Sequence, residues 1–145
     1  MPLGRVQEGV LVTHFEDGTP YEYQPQEGAA TNVGWLDAAN AYPQGPVPPE
    51  FIAVLTELCR SGVLRMRGWH MCNLCVPDGE RRSYSDLVPT LVQSETGNYS
   101  VGDAEIRVPG LEGVVYAAPD MVIHYVVVHG YRPPDGFIEA VLGST

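Results

Sequence analysis

Ala104-Glu105-Ile106-Arg107-Val108-Pro109-Gly110-Leu111-Glu112-Gly113-Val114-Val115-Tyr116-Ala117-Ala118 decides the fold. Two runs rich in β-branched and apolar residues flank a five-residue loop with two glycines, the pattern of an antiparallel hairpin. Pro119-Asp120 follows at once and predicts a helix over 119–129, stopped by Gly130. Val122, Ile123, Val126 and Val127 are expected to turn inward against the hairpin. A last helix is expected over 134–142, from Pro133-Pro134-Asp135 to Gly143.

Upstream, Pro48-Pro49-Glu50 has the chemistry of a helix start, with proline and acid where free N–H groups and the positive dipole end lie. Ile52, Leu55, Leu58 and Cys59 then form one apolar stripe of a helix over 49–59, so Cys59 faces the core side. Residues 63–69 alternate as a strand, 87–92 read as another, and Glu95-Thr96-Gly97-Asn98 is a turn. At the N-terminal end, 9–15 reads as a strand, 16–20 as a turn and Tyr21-Glu22-Tyr23 as its antiparallel return. Val33-Gly34-Trp35-Leu36 is a short apolar run closed by Asp37. The fold class is α+β: one domain over 1–145, a mainly antiparallel sheet with about three packed helices and a metal-binding knuckle. Residues 1–32 are expected to be a peripheral strand pair with a mobile loop over 24–30.

At 145 residues the chain is the size of one ordinary domain and can bury roughly two thirds of its unfolded surface. A hydrophobic fraction of 44% with 18% charged residues is that of a globular protein. The formal net charge is −10, and all 8 basic residues are arginine. That balance argues against nucleic acid, whose phosphates need a basic surface, and against anionic membranes. No apolar run reaches membrane-spanning length and no leader pattern opens the chain, so a cytoplasmic protein is expected. Three cysteines, two of them at CxxC spacing, then favour metal or thiol chemistry over a disulfide framework.

The densest chemistry lies in Arg67-Gly68-Trp69-His70-Met71-Cys72-Asn73-Leu74-Cys75. If 68–72 is extended, His70 and Cys72 point to one side, and a turn at Asn73-Leu74 returns Cys75 toward Cys72. With Cys59, the set His70, Cys72 and Cys75 offers four ligands of the types a closed zinc site uses. The blander reading makes Cys59 a small buried hydrophobe and the CxxC a pair of reduced thiols. If Cys59 packs in the core, then His124, His129, Asp37, Glu105 or water completes the sphere, and bound water would make the metal catalytic. A thioredoxin-type redox motif is disfavoured, because Val76-Pro77-Asp78-Gly79 cannot extend a helix after the cysteines.

His124 and His129 lie five apart, about 140° around a regular helix, so they share a site only if the helix ends between them. His124 reads more readily as a hydrogen-bonded core residue, and His129 beside Gly130 as a complement to the helix's negative end. Glu105 and Arg107 share a strand face, where a salt bridge is the ordinary outcome; Glu105 or His124 is the candidate general base if the protein is an enzyme. Trp69 and Asp37 are the candidate binding residues, against the commoner roles of core packing and turn capping.

Several phrases together resemble a family: Val33-Gly34-Trp35-Leu36-Asp37, Arg67-Gly68-Trp69-His70 with Cys72 and Cys75, Ala104 to Val108, Val115 to Pro119, and His124-Tyr125 through His129 to Pro134. The chain is similar over 33–142 to small uncharacterised proteins of actinobacteria, especially streptomycetes, that carry an HxCxxC motif. That resemblance implies a self-contained domain and no particular activity; it also implies a histidine where Asn40 or Ala41 stands here. Three functions follow in order. The first is a small zinc-binding domain with a structural metal, acting as a binding or accessory protein. The second is a metal-dependent enzyme on a small molecule, of the kind specialised metabolism uses. The third is an acidic interaction or immunity-type protein with a basic partner. Whether a small molecule or a protein is the partner is left open by the sequence.

Overall fold

The hairpin forms where expected, and its pairing runs further than its apolar residues suggest. The computed structural model describes residues 6–7, 10–11, 16–21, 30–36, 39–62, 72, 74–75, 90–102 and 104–144. Its elements are β1 (Val6–Gln7), β2 (Val10–Leu11), β3 (Pro20–Tyr21), β4 (Ala30–Asn32), α1 (Pro49–Arg60), β5 (Thr90–Val92), β6 (Tyr99–Val101), β7 (Glu105–Pro109), β8 (Val115–Pro119), α2 (Val122–His129) and α3 (Asp135–Leu142). β7 and β8 pair antiparallel from Glu105↔Pro119 to Pro109↔Val115. The Asp120 N–H extends that ladder to the Ala104 carbonyl at 2.9 Å. Pro119 and Asp120 are therefore strand-end residues, and α2 begins at Val122, three residues later than expected.

The main sheet has the order β3-β4-β8-β7, with β4 and β8 parallel (Thr31↔Tyr116, Asn32↔Ala117) and the other pairs antiparallel. Residues 30–32, expected within a peripheral segment, thus belong to this sheet. The expected return of 21–23 onto 9–15 is replaced among the described residues by Tyr21↔Ala30, while β2 pairs with β1. The 16–20 turn is instead tied to the core: Asp17 accepts the Gly34 N–H at 2.9 Å and the Tyr131 hydroxyl at 2.7 Å. Gly34, at φ +80, follows β4 and lets the run Val33 to Leu36, buried except for the half-buried Trp35, turn under α2, where an added Cβ would meet Val122 at 2.7 Å. β5 and β6 form a separate hairpin across the turn expected at 95–98. The strand expected over 63–69 lies outside the described residues, as do 12–15, 22–29 and 87–89.

All three expected helices are present. α1 buries Phe51, Leu55 and Cys59, one stripe at i, i+4 and i+8, so Cys59 faces inward as expected. α2 buries Val122, Ile123, Tyr125 and Val126, but Val127 is 57% exposed, because the last turn of the helix leaves the core. α1 packs on α2 and α3 as well as on β6 and β7, and α3 packs on β7. Phe137 is the keystone of that layer. Its ring meets Phe51 and Tyr116 edge to face, with centroids 6.1 and 5.6 Å away. Among the described residues no helix is long and apolar enough to cross a membrane.

Candidate metal centre

α2 carries histidines at its first and last turns, and both reach one point on the surface. Cys72, Cys75, His124 and His129 each offer one ligand atom, and the four atoms lie within 4.8 Å of one another. Cys75 Sγ stands 3.3 Å from His124 Nε2 and 3.3 Å from His129 Nε2, and Cys72 Sγ stands 3.4 Å from His129 Nε2. A tetrahedral ion about 2.3 Å from sulfur and about 2.0 Å from nitrogen would separate them by about 3.5 Å, so the observed spacing needs little adjustment. The two imidazoles meet edge to face at 5.0 Å.

The histidine pair reaches one site although α2 does not end between its members. The imidazoles reach well beyond the backbone, and the His129 side chain leans back toward the helix N-terminus, as helical side chains do, which shortens the gap to His124. The helix closes just after His129: Gly130 is left-handed at φ 70, and its N–H and that of Tyr131, the latter at 3.1 Å, both reach the Tyr125 carbonyl.

The electrostatics suit cation binding. Burial, and then the neighbouring His129, pushes His124 down to about 4, and burial lowers His129 as well, so both imidazoles are neutral at pH 7 with lone pairs free for a metal. Burial pushes the Cys72 thiol up to about 11, while backbone N–H groups of Cys75 and Leu74 oppose it by hydrogen bonding to the sulfur. A thiol in that position is held as a neutral S–H until a cation displaces the proton, and the two N–H groups then stabilise the thiolate. Cys72 is buried and Cys75 exposed, which places the centre at the protein surface with one sulfur lining the core. The soft sulfur and imidazole donors, their spacing and the N–H groups aimed at Cys72 all fit a zinc-type ion.

The residues expected from the sequence distribute as follows. Cys72 and Cys75 are in the cluster, and His124 joins them. Cys59 does not belong to it: the side chain is 2% exposed in the core, and burial, then the charge of Asp120, pushes its thiol far above the usual range. The Ile123 N–H, one of the free donors of the first turn of α2, bonds to its sulfur. Glu105 is buried on β7 with Arg107 at 3.3 Å, the expected ion pair, and is no part of the cluster. His70, Trp69 and Asp37 lie outside the described residues. His129 is one of the donors the sequence offers for the case that Cys59 packs in the core, and a sharper signal for it existed. Cys72-x2-Cys75 followed by His124-x4-His129 is the C-x2-C, H-x3–5-H ligand spacing of zinc sites, with an unusually long insertion between its halves.

Fold and site together define a class: an α+β domain with a surface cluster of two cysteines and two histidines able to hold a metal ion. Residues 13–142 match the family described as "Domain of unknown function (DUF7919)", and the chain belongs to that family. The span contains the whole region of the resemblance drawn from the sequence. No curated protein and no solved structure matches the chain significantly.

Proposed function

We propose that the protein is a small zinc-binding domain whose metal is structural, held by Cys72, Cys75, His124 and His129, and that it acts as a binding or accessory protein. The observation that carries this reading is the convergence of four donors, two sulfur and two nitrogen, at distances a tetrahedral ion would impose. Four protein ligands leave no position for substrate or water, which favours a structural over a catalytic metal. The enzyme alternative also loses its candidate bases: His124 is used as a donor, and Glu105 is buried against Arg107. Cysteines kept as free thiols suit a reducing compartment, which agrees with a cytoplasmic location. An acidic surface of net charge −10 suits a basic protein partner better than a nucleic acid.

Elemental analysis with zinc-edge absorption spectroscopy tests the reading. The expected result is one zinc per chain with two sulfur and two nitrogen neighbours. A folded, metal-free protein that takes up no added zinc would overturn it, and three protein ligands with one oxygen neighbour would move the enzyme reading to first place.

A further inference from the structure

α2 cannot be continued at its C-terminal end, and what replaces the missing helix is a segment far away in sequence. The carbonyl of His129 would ordinarily accept the N–H of residue 133, which is Pro133 and has none. Two side chains of the proline-rich loop over 41–48 take that place: Tyr42 Oη donates to the His129 carbonyl at 3.4 Å and Gln44 Nε2 at 3.3 Å. The backbone of the same loop holds the next three residues. The Gly45 N–H donates to the Gly130 carbonyl at 3.2 Å, the Arg132 N–H to the Pro43 carbonyl at 3.0 Å, and Gln44 and Tyr131 form an antiparallel bridge. Arg132 Nε closes the far end on the Pro46 carbonyl at 3.2 Å. The Tyr42 and Tyr131 rings meet edge to face at 6.3 Å.

The loop therefore grips the His129 carbonyl and the turn that follows it, at the end of the helix that carries both histidines. That closing turn is held from inside by the Tyr125 carbonyl, which receives two N–H groups, and by the Tyr131 hydroxyl on Asp17, and from outside by this loop. We propose that Tyr42 and Gln44 are positioning residues of the metal centre, acting through the His129 backbone, and that metal binding and docking of the 41–48 loop stabilise each other. This rests on the zinc reading above. The second half of the proposal follows from linkage: if docking raises affinity for the ion, the ion must favour docking by the same factor. Partners that orient ligands in this way are worth 10- to 100-fold in metal affinity at other sites, roughly.

The test measures Zn²⁺ affinity by competition with a chromophoric chelator, the absorption bands of the Co²⁺-substituted protein, and hydrogen exchange of the Gly45 and Arg132 amides with and without Zn²⁺. Gln44→Met removes the donor while keeping shape at an exposed position, Tyr42→Phe removes the hydroxyl alone, and Gln44→Arg restores an N–H of sufficient reach. The expected result is about tenfold weaker Zn²⁺ binding and shifted Co²⁺ bands in the Tyr42→Phe/Gln44→Met protein, recovery toward wild type in Gln44→Arg, and slower exchange of both amides on Zn²⁺ loading. Should the double variant not fold, Gln44→Met against Gln44→Arg and the wild-type exchange experiment decide. Affinity within twofold of wild type, or exchange at Gly45 and Arg132 indifferent to Zn²⁺, overturns the proposal while leaving the zinc site intact. A wild-type protein that binds no Zn²⁺ overturns the zinc reading itself, and this proposal with it.

Discussion

Replacing Cys59 by Ala separates a core sulfur from a ligand. The change deletes a side-chain atom that is 2% exposed, worth about 1 kcal/mol of lost burial. It also strands the Ile123 N–H that now bonds to the sulfur, and a buried donor left without a partner costs about 1–3 kcal/mol. Together the variant should lose about 2–4 kcal/mol, which in a domain of this size lowers the melting temperature by about 6–12 °C. Cys59→Ser should lose less, since its hydroxyl can still accept the same N–H. Urea unfolding of the zinc-loaded proteins measures the cost, and elemental analysis measures the metal. Zinc should stay at one per chain in both variants, because no ligand has been touched. A folded Cys59→Ala protein without zinc would refute the assignment of Cys59 to the core, and an unchanged unfolding midpoint would refute the role of its sulfur at the start of α2.

Removing zinc with a chelator should destabilise the fold by several kcal/mol, read as a fall in the urea midpoint, since the ion joins residues 49 positions apart and closing such a loop by a cross-link is worth about 4 kcal/mol. In the metal-free protein Cys75 should react first with an aromatic disulfide reagent, with Cys72 and Cys59 reacting only on unfolding, because Cys75 alone of the three is exposed; zinc should slow that first reaction. Val126→Asp should destabilise by several kcal/mol, because Val126 is 6% exposed in the core; near-native melting would show that the face of α2 is wrongly assigned. Gly34→Ala should cost about 1–2 kcal/mol for its positive φ and more for the approach to Val122, measured by the same melts.

What the sequence disclosed follows the range of the forces that write it. The 104–118 hairpin, α1 and α3 are set by neighbours: proline and acid at helix starts, glycine in turns, apolar spacing along a face. Those elements appear where the pattern puts them. Errors lie where a distant partner decides. Pro119 and Asp120 carry a helix-start signature, but Glu105 and Ala104 claim them for the ladder. Tyr21 looks like the return of an N-terminal strand, but Ala30 is its partner, and β4 joins β8 in a parallel pair that no local pattern announces.

The candidate site divides along the same line. Its cysteines were legible because CxxC is a local spacing, and Cys59 was a reasonable fourth ligand only because nearness in sequence stood in for nearness in space. His124 and His129 stand in the sequence only as alternatives to Cys59, because a regular helix sets them about 140° apart. The helix is unbroken between them, and imidazoles long enough to lean toward one another bridge the difference. Read beside C-x2-C, His124-x4-His129 completes a two-sulfur, two-nitrogen set whose halves, Cys75 and His124 being 49 positions apart, meet only in the folded chain. The donors are thus assembled by the tertiary fold, and an ion bound there would in turn hold that fold together.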